Sequence, residues 1–179
     1  LENVLPPVAE MKESERIYHN EIYKDEYAWI KDKSNPDVIS YLEEENKYTK
    51  KMLSHTEETQ EKLYKELLGR IKETDSSVPE KHGDYYYYSR TEEGKQYRIY
   101  CRKKSSLDAD EQLILDLNEI AKHHEYTKLG CYKISPNHKY LAYSLDHNGY
   151  ETFTLLFKDL ETGEILEDKI ENTCVTGEW

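Results

Sequence analysis

Apolar and polar positions repeat with a helical period up to about residue 75 and with a period of two beyond it. In the first stretch Val38, Tyr41, Leu42, Tyr48 and Met52 fall near one helical face, and Glu43, Glu44, Glu45, Lys47 and Lys50 fill the remainder. Asn35 is a good N-cap, Pro36 suits the first turn and Asp37 favours the positive end of the helix dipole, so a helix is predicted to start there. Ser54 followed by Glu57 matches a capping box and predicts a second helix, with Leu63, Leu67, Leu68 and Ile71 as its apolar stripe. Gly69 weakens that helix toward its end. Residues 1–34 read as an irregular arm with Pro6, Pro7 and an aromatic cluster of Tyr23, Tyr27 and Trp29.

Beyond Asp75 short strands alternate with turn residues. Residues 85–90 read as a strand, Thr91 to Lys95 as a hairpin turn with Gly94 available for positive φ, and residues 97–102 as the return strand. In that return strand Tyr97, Ile99 and Cys101 share one face, and Arg98, Tyr100 and Arg102 the other. Residues 113–117 form a shorter strand, followed by a polar connection over 119–124. The rhythm then repeats, with strands over 131–135, 140–145, 152–158 and a weaker edge over 165–170. The turns between them carry Pro136, Asn137 and His138, then Asp146 to Gly149, then Glu161, Thr162 and Gly163. Four short antiparallel strands joined in this way suit one blade of a β-propeller. The same pattern fits a β-sandwich, and rhythm alone leaves both open.

Composition changes this picture in three ways. Charged residues make up 35% of the chain and the mean hydropathy is −0.99, so the aliphatic core is thin. The 17 tyrosines, against two Phe and two Trp, partly compensate by burying rings while keeping a hydroxyl for hydrogen bonding. The formal charge of −12 disfavours nucleic acid and anionic membrane as partners, since clustered Lys and Arg supply the affinity for both. Cys101, Cys131 and Cys174 are odd in number, widely spaced and without a C-x-x-C pair, which argues against a disulfide framework and a zinc site. No apolar run has the length of a membrane span and the first residues do not read as a signal peptide, so a cytoplasmic protein is expected. A first residue of Leu rather than Met leads to the expectation of a fragment.

Several linked segments then resemble one family. Asp25-Glu26-Tyr27-Ala28-Trp29-Ile30-Lys31-Asp32 resembles the D-x-Y-x-W-L-x-D segment of prolyl oligopeptidase relatives, and Tyr41-Leu42-Glu43-Glu44-Glu45-Asn46-Lys47-Tyr48-Thr49 the helix that follows it. Leu68-Gly69-Arg70-Ile71-Lys72-Glu73 and Ser77-Val78-Pro79 continue the match. Tyr87-Tyr88-Ser89-Arg90-Thr91-Glu92-Glu93-Gly94-Lys95-Gln96-Tyr97, followed by Ile99-Tyr100-Cys101-Arg102, is the most specific segment and is similar to the oligopeptidase B branch. Leu115 to Glu119 and Ser135-Pro136-Asn137 follow in register.

The resemblance implies a mainly β chain with a helical N-terminal arm: residues 1–74 as a wrapping arm with two helices, and residues 75–179 as about two blades of a seven-bladed β-propeller. It implies a serine peptidase that cleaves short peptides after Arg or Lys, with the α/β-hydrolase domain absent from this chain and lying beyond Trp179. The propeller would then gate access, and the arm would embrace the missing domain. A non-catalytic propeller that binds partners is the alternative.

The chemistry-bearing residues agree with an absent catalytic domain. A hydrolase nucleophile needs a G-x-S-x-G elbow, and the sequence has none. Ser76, Ser77, Ser105 and Ser106 lack flanking glycines and read as loop residues. His123 and His124 read as part of a polar connection, His55 as a helix-junction residue, and His82, His138 and His147 as turn residues rather than ligands. Glu43 to Glu45 read as a solvated helix face, and Tyr85 to Tyr88 as strand residues alternating between two packed faces. Trp29, with Asp32 and Lys33, is a candidate clamp on the missing domain. The sequence therefore offers no catalytic residue, no cofactor-binding residue and no metal ligand. Peptides, held by the missing domain, are the expected partners.

Overall fold

The structure, a computed structural model, describes residues 4–179, and the chain divides into two compact units, Leu1–Ile71 and Lys72–Trp179. The first unit opens with a two-stranded hairpin, β1 (Glu15–Tyr18) and β2 (Glu21–Lys24), in which Ile17 faces Ile22. Its turn residues His19 and Asn20 both have positive φ, at 50° and 67°, as the right-handed twist of a two-residue hairpin requires. A 3-10 turn spans Ala28–Lys31, and Asp32 then accepts hydrogen bonds from the Ser34 N–H at 3.0 Å and the Ser34 hydroxyl at 2.6 Å.

Helix α1 (Pro36–Leu53) starts where the pattern placed it, with the Asn35 side chain accepting from the Asp37 N–H at 2.9 Å. Its covered face is made by Val38, Tyr41, Glu45, Tyr48 and Met52; Leu42 lies off it and is exposed. The capping box expected at Ser54 does not form. Ser54 adopts helical backbone angles, whereas an N-cap needs an extended residue. Its hydroxyl instead donates back to the Lys51 carbonyl at 2.9 Å, and the Thr56 hydroxyl to Leu53 at 2.6 Å. A 3-10 turn, Ser54–Thr56, thus joins α1 to α2 (Glu57–Gly69). The apolar stripe of α2 exists but lies open: Leu63, Leu67, Leu68 and Ile71 are all exposed.

The second unit contains two four-stranded sheets. The first consists of β3 (Glu80–His82), β4 (Tyr85–Arg90), β5 (Ile99–Lys104) and β6 (Glu111–Asp116) in that spatial order. A short helix, α3 (Leu117–Ala121), follows, capped by Asp116 accepting from the Asn118 N–H at 2.9 Å. The second sheet consists of β7 (Lys128–Ile134), β8 (Tyr140–Asp146), β9 (Phe153–Asp159) and β10 (Ile165–Thr173), again in sequence order. Every neighbouring pair is antiparallel. Each sheet is therefore an up-and-down meander of consecutive strands, the arrangement of propeller blades and not the interleaved strands of a Greek-key sandwich.

Three details differ from the expectation. β3 was not anticipated, because Glu80, Lys81 and His82 offer no apolar residue. β5 begins at Ile99, which pairs with Arg90, so residues 91–98 form a longer connection than a tight turn at Thr91 to Lys95. Tyr97 is held by the side chain of Asn118, which accepts its N–H at 2.8 Å and donates to its carbonyl at 2.9 Å. Leu117 is the first residue of α3 rather than the end of a strand, and the polar connection after it is partly helical.

The core of this unit draws on both sheets: Ile114, Leu115 and Leu117 pack with Leu141, Tyr143, Leu145 and Leu160. Gly130 is needed on β7 because a Cβ there would lie 2.6 Å from the Ser144 hydroxyl oxygen and 2.8 Å from the Phe153 ring.

Candidate functional site at the junction of the two sheets

The buried guanidinium of Arg102 is the polar centre of the second unit; the residue is 2% exposed. β5 carries it toward the second sheet. Its Nε donates to Gln112 Oε1 at 2.7 Å, and its Nη1 donates to the carbonyl of His138 at 2.6 Å and to the Tyr87 hydroxyl at 3.4 Å. The Tyr85 ring covers it, with the guanidinium carbon 4.2 Å from the ring centroid. Gln112 passes the link on, its Nε2 donating to the Leu160 carbonyl at 2.5 Å. Lys158 reaches from β9 to the Ile114 carbonyl at 2.8 Å, and burial lowers its pKa. Two basic side chains thus bridge the sheets through main-chain and side-chain oxygens, and among the described residues no buried side-chain donor lacks a partner.

Aromatic contacts surround this bridge. The Tyr100 and Tyr132 rings stack across the sheets with centroids 4.5 Å apart, and burial pushes the Tyr132 hydroxyl pKa up. Tyr87 shares a 2.9 Å hydrogen bond with His138 Nδ1. Burial, and after it the neighbouring His82 and Arg102, lower the His138 pKa, which favours the neutral imidazole. The His82 ring lies 4.8 Å from that of His138. On the first sheet Arg90 grips Glu111, with Nη2 to Oε1 at 3.0 Å and Nε to Oε1 at 3.1 Å, and Tyr88 donates to Glu111 Oε2 at 2.5 Å. Burial pulls the Glu111 pKa up, and the hydrogen bonds from Arg90 and Tyr88 bring it below the ordinary value. Cys101 lies buried beside this group, and burial pushes its thiol up to about 11, which makes it inert as a nucleophile.

Three of the loop serines are held by main-chain contacts. Ser77 pairs with Ser89, accepting its N–H at 3.0 Å. Ser105 has φ of 64° and its N–H donates to the Asp84 carbonyl. Ser106 accepts from the Asp108 N–H at 3.1 Å. Among the described residues no hydrogen bond joins a serine hydroxyl to a histidine, and no group of three or more His, Cys, Asp or Glu could hold a metal ion. His55 bonds the Met52 carbonyl at the helix junction. His124 and His147 stack with centroids 3.5 Å apart, a meeting of two loops that spacing could not reveal. Glu45 accepts from the Tyr41 hydroxyl at 2.7 Å, while Glu43 and Glu44 face solvent. In the arm Trp29 donates to the Glu10 carbonyl at 2.9 Å under the Lys12 ammonium, and Lys12 pairs with Asp37 at 2.6 Å. Sequence reasoning missed Arg102; its one signal was an arginine alternating onto the same strand face as Tyr100.

Two consecutive-strand meanders joined by buried polar contacts describe part of a β-propeller. Residues 6–179 match the family model for the prolyl oligopeptidase N-terminal beta-propeller domain, and the chain belongs to the prolyl oligopeptidase family of serine peptidases. It is 36% identical to Protease 2 of Moraxella lacunata, over 97% of this chain and 26% of that protein. It is 33% identical to dipeptidyl aminopeptidase BI of Pseudoxanthomonas mexicana, over 93% of this chain and 25% of that protein. Among solved structures, oligopeptidase B from Leishmania major superposes with a TM-score of 0.83 at 28% identity, covering 94% of this chain and 26% of that one. The chain spans about a quarter of the length of the curated relatives it matches.

Proposed function

We propose that this chain is the strap and the first two blades of a seven-bladed propeller that restricts access to the active site of a serine oligopeptidase, cleaving short peptides after Arg or Lys. The observation that carries the reading is the register of the whole match. Residues 6–179 align with the propeller domain of a peptidase family, and the sequence contains no nucleophile elbow. On this reading the serine, histidine and aspartate belong to a hydrolase domain beyond Trp179, and the propeller works by exclusion. A cavity closed by blades admits flexible peptides and rejects folded proteins, and relative motion of the domains gates entry. The strap would hold the hydrolase domain through the open stripe of α2. The partners are then peptides and, within the polypeptide, the hydrolase domain; the location is the cytoplasm.

The test is an assay of the longer polypeptide that carries this chain. Arginyl and lysyl amide reporters are expected to be cleaved in preference to prolyl ones. A folded protein displaying the same bonds should survive until it is denatured. Equal cleavage of the folded and denatured protein would remove the gating role, and preference for prolyl reporters would remove the basic specificity. A continuation containing only further blades would favour a binding propeller.

A further inference from the structure

The turn between β8 and β9 contains Asn148-Gly149, and no other asparagine of this chain precedes a glycine. A glycine after asparagine leaves the main-chain nitrogen unshielded, so this dipeptide favours intramolecular attack of the Gly149 nitrogen on Asn148 Cγ. The turn holds the two reacting groups in unlike states. The Asn148 side-chain oxygen accepts the Tyr150 N–H at 2.9 Å, which polarises the amide carbonyl and would stabilise negative charge developing on it. The nucleophile is held back. The Gly149 N–H donates to Asp146 Oδ1 at 2.9 Å, and the same carboxylate takes the Asn148 N–H at 2.8 Å and the Glu151 N–H at 2.9 Å. Asp146 is fully buried.

We propose that Asn148 is a self-modification site of this protein, armed by the Tyr150 N–H and latched by the Asp146 carboxylate. The reaction is a deamidation that needs only water and hydroxide. Hydroxide removes the Gly149 N–H proton, the nitrogen bonds to Asn148 Cγ, and the Cγ–Nδ2 bond breaks with release of ammonia. The resulting succinimide adds water at either carbonyl and opens to aspartate or isoaspartate. The first step is what the latch opposes. A negative charge 2.9 Å from the nitrogen resists the loss of its proton. Asp146 is also a poor base in its own right: burial pulls its pKa up, but its three N–H donors more than offset this and hold it below the ordinary value. Opening would place a new carboxylate beside Asp146 and Glu151, and the isoaspartyl product would lengthen the main chain between two core strands. The site is independent of the peptidase reading, since it uses only residues of this turn.

The test is peptide mass spectrometry of the intact protein held at neutral pH, with a synthetic peptide of residues 144–153 as the unlatched reference. Each 1.4 kcal/mol of local opening energy slows the reaction tenfold, so the folded protein is expected to deamidate at Asn148 at least about tenfold more slowly than the peptide. Asp146→Asn keeps the shape and removes the charge; in a folded variant, checked by near-ultraviolet circular dichroism, the rate should rise at least about threefold over wild type. Equal rates in folded protein and peptide would overturn the latch. So would a folded Asp146→Asn variant that reacts more slowly, which would make Asp146 the base. If that variant does not fold, the comparison of wild type with the peptide decides.

Discussion

The two units of this chain solve the burial problem in opposite ways. The strand unit closes its own core: Leu141, Phe153 and Ile114 are buried to the last per cent, and buried Arg102 and half-buried Lys158 tie the sheets together. The helical unit buries Val38 and leaves Leu63, Leu67 and Ile71 in solvent. Its regular structure comes from local devices instead, a proper N-cap at Asn35, i to i+4 pairs such as Lys62 with Glu58, and the tie from Trp29 to Glu10. Local devices contribute tenths of a kcal/mol to about one each, whereas each buried large side chain contributes several. The difference teaches that the strand unit has the makings of a folded body, whereas the helical unit leaves its apolar stripe uncovered.

The largest effect should come from the strand core. Phe153→Ala is expected to cost about 3–5 kcal/mol, read as a loss of urea midpoint. Next, Arg102→Met removes the bridge and leaves the His138 carbonyl and Gln112 without their donor, an expected cost of about 2–4 kcal/mol. Were Arg102→Met neutral, the polar bridge would not be what joins the sheets. Leu67→Ala in the arm should change the stability of the chain by less than about 0.5 kcal/mol. The two tryptophans allow each unit to be followed separately, Trp29 in the arm and Trp179 in the strand unit. Single Trp→Phe variants should show the arm losing structure at lower denaturant.

Alkaline pH sharpens the contrast further. Burial raises the folded Cys101 pKa from 9.0 to about 11, and Tyr132 shifts in the same direction. A group with a raised folded pKa binds its proton more tightly in the native state, so its stabilisation is complete below the unfolded pKa and declines as pH rises through the folded one. The urea midpoint followed by Trp179 should therefore fall between pH 9.0 and about 11. Thiol alkylation in the folded chain should reach exposed Cys174, whose pKa is lowered by its Thr176 hydrogen bonds, well before Cys101.

Much of this architecture was legible before the structure, and the gaps have physical causes. Strands such as β4 and β8 declare themselves through β-rich residues bounded by Asn, Asp and Gly turns, and α1 through its cap and apolar spacing. β3 stayed hidden because a three-residue polar strand is formed by its partner, not by its own side chains. Ser54 misled because a capping motif needs an extended residue, and the chain there continues in a helical turn. Leu42 misled because the covered face of α1 runs through Glu45. The sheet junction was illegible for a deeper reason. Arg102, Gln112, His138 and Lys158 are ordinary surface residues by type, and only the meeting of two sheets buries Arg102 and partly covers the other three. The absence of a nucleophile elbow was readable directly, since that motif is local.

The most direct measurement is labelling with a fluorophosphonate, which reports an activated serine without reference to substrate preference. The account predicts no labelling of the 179-residue chain and a single labelled serine, beyond Trp179, in the longer polypeptide that carries it. Labelling of any serine within residues 1–179, or none in the longer polypeptide, would contradict it.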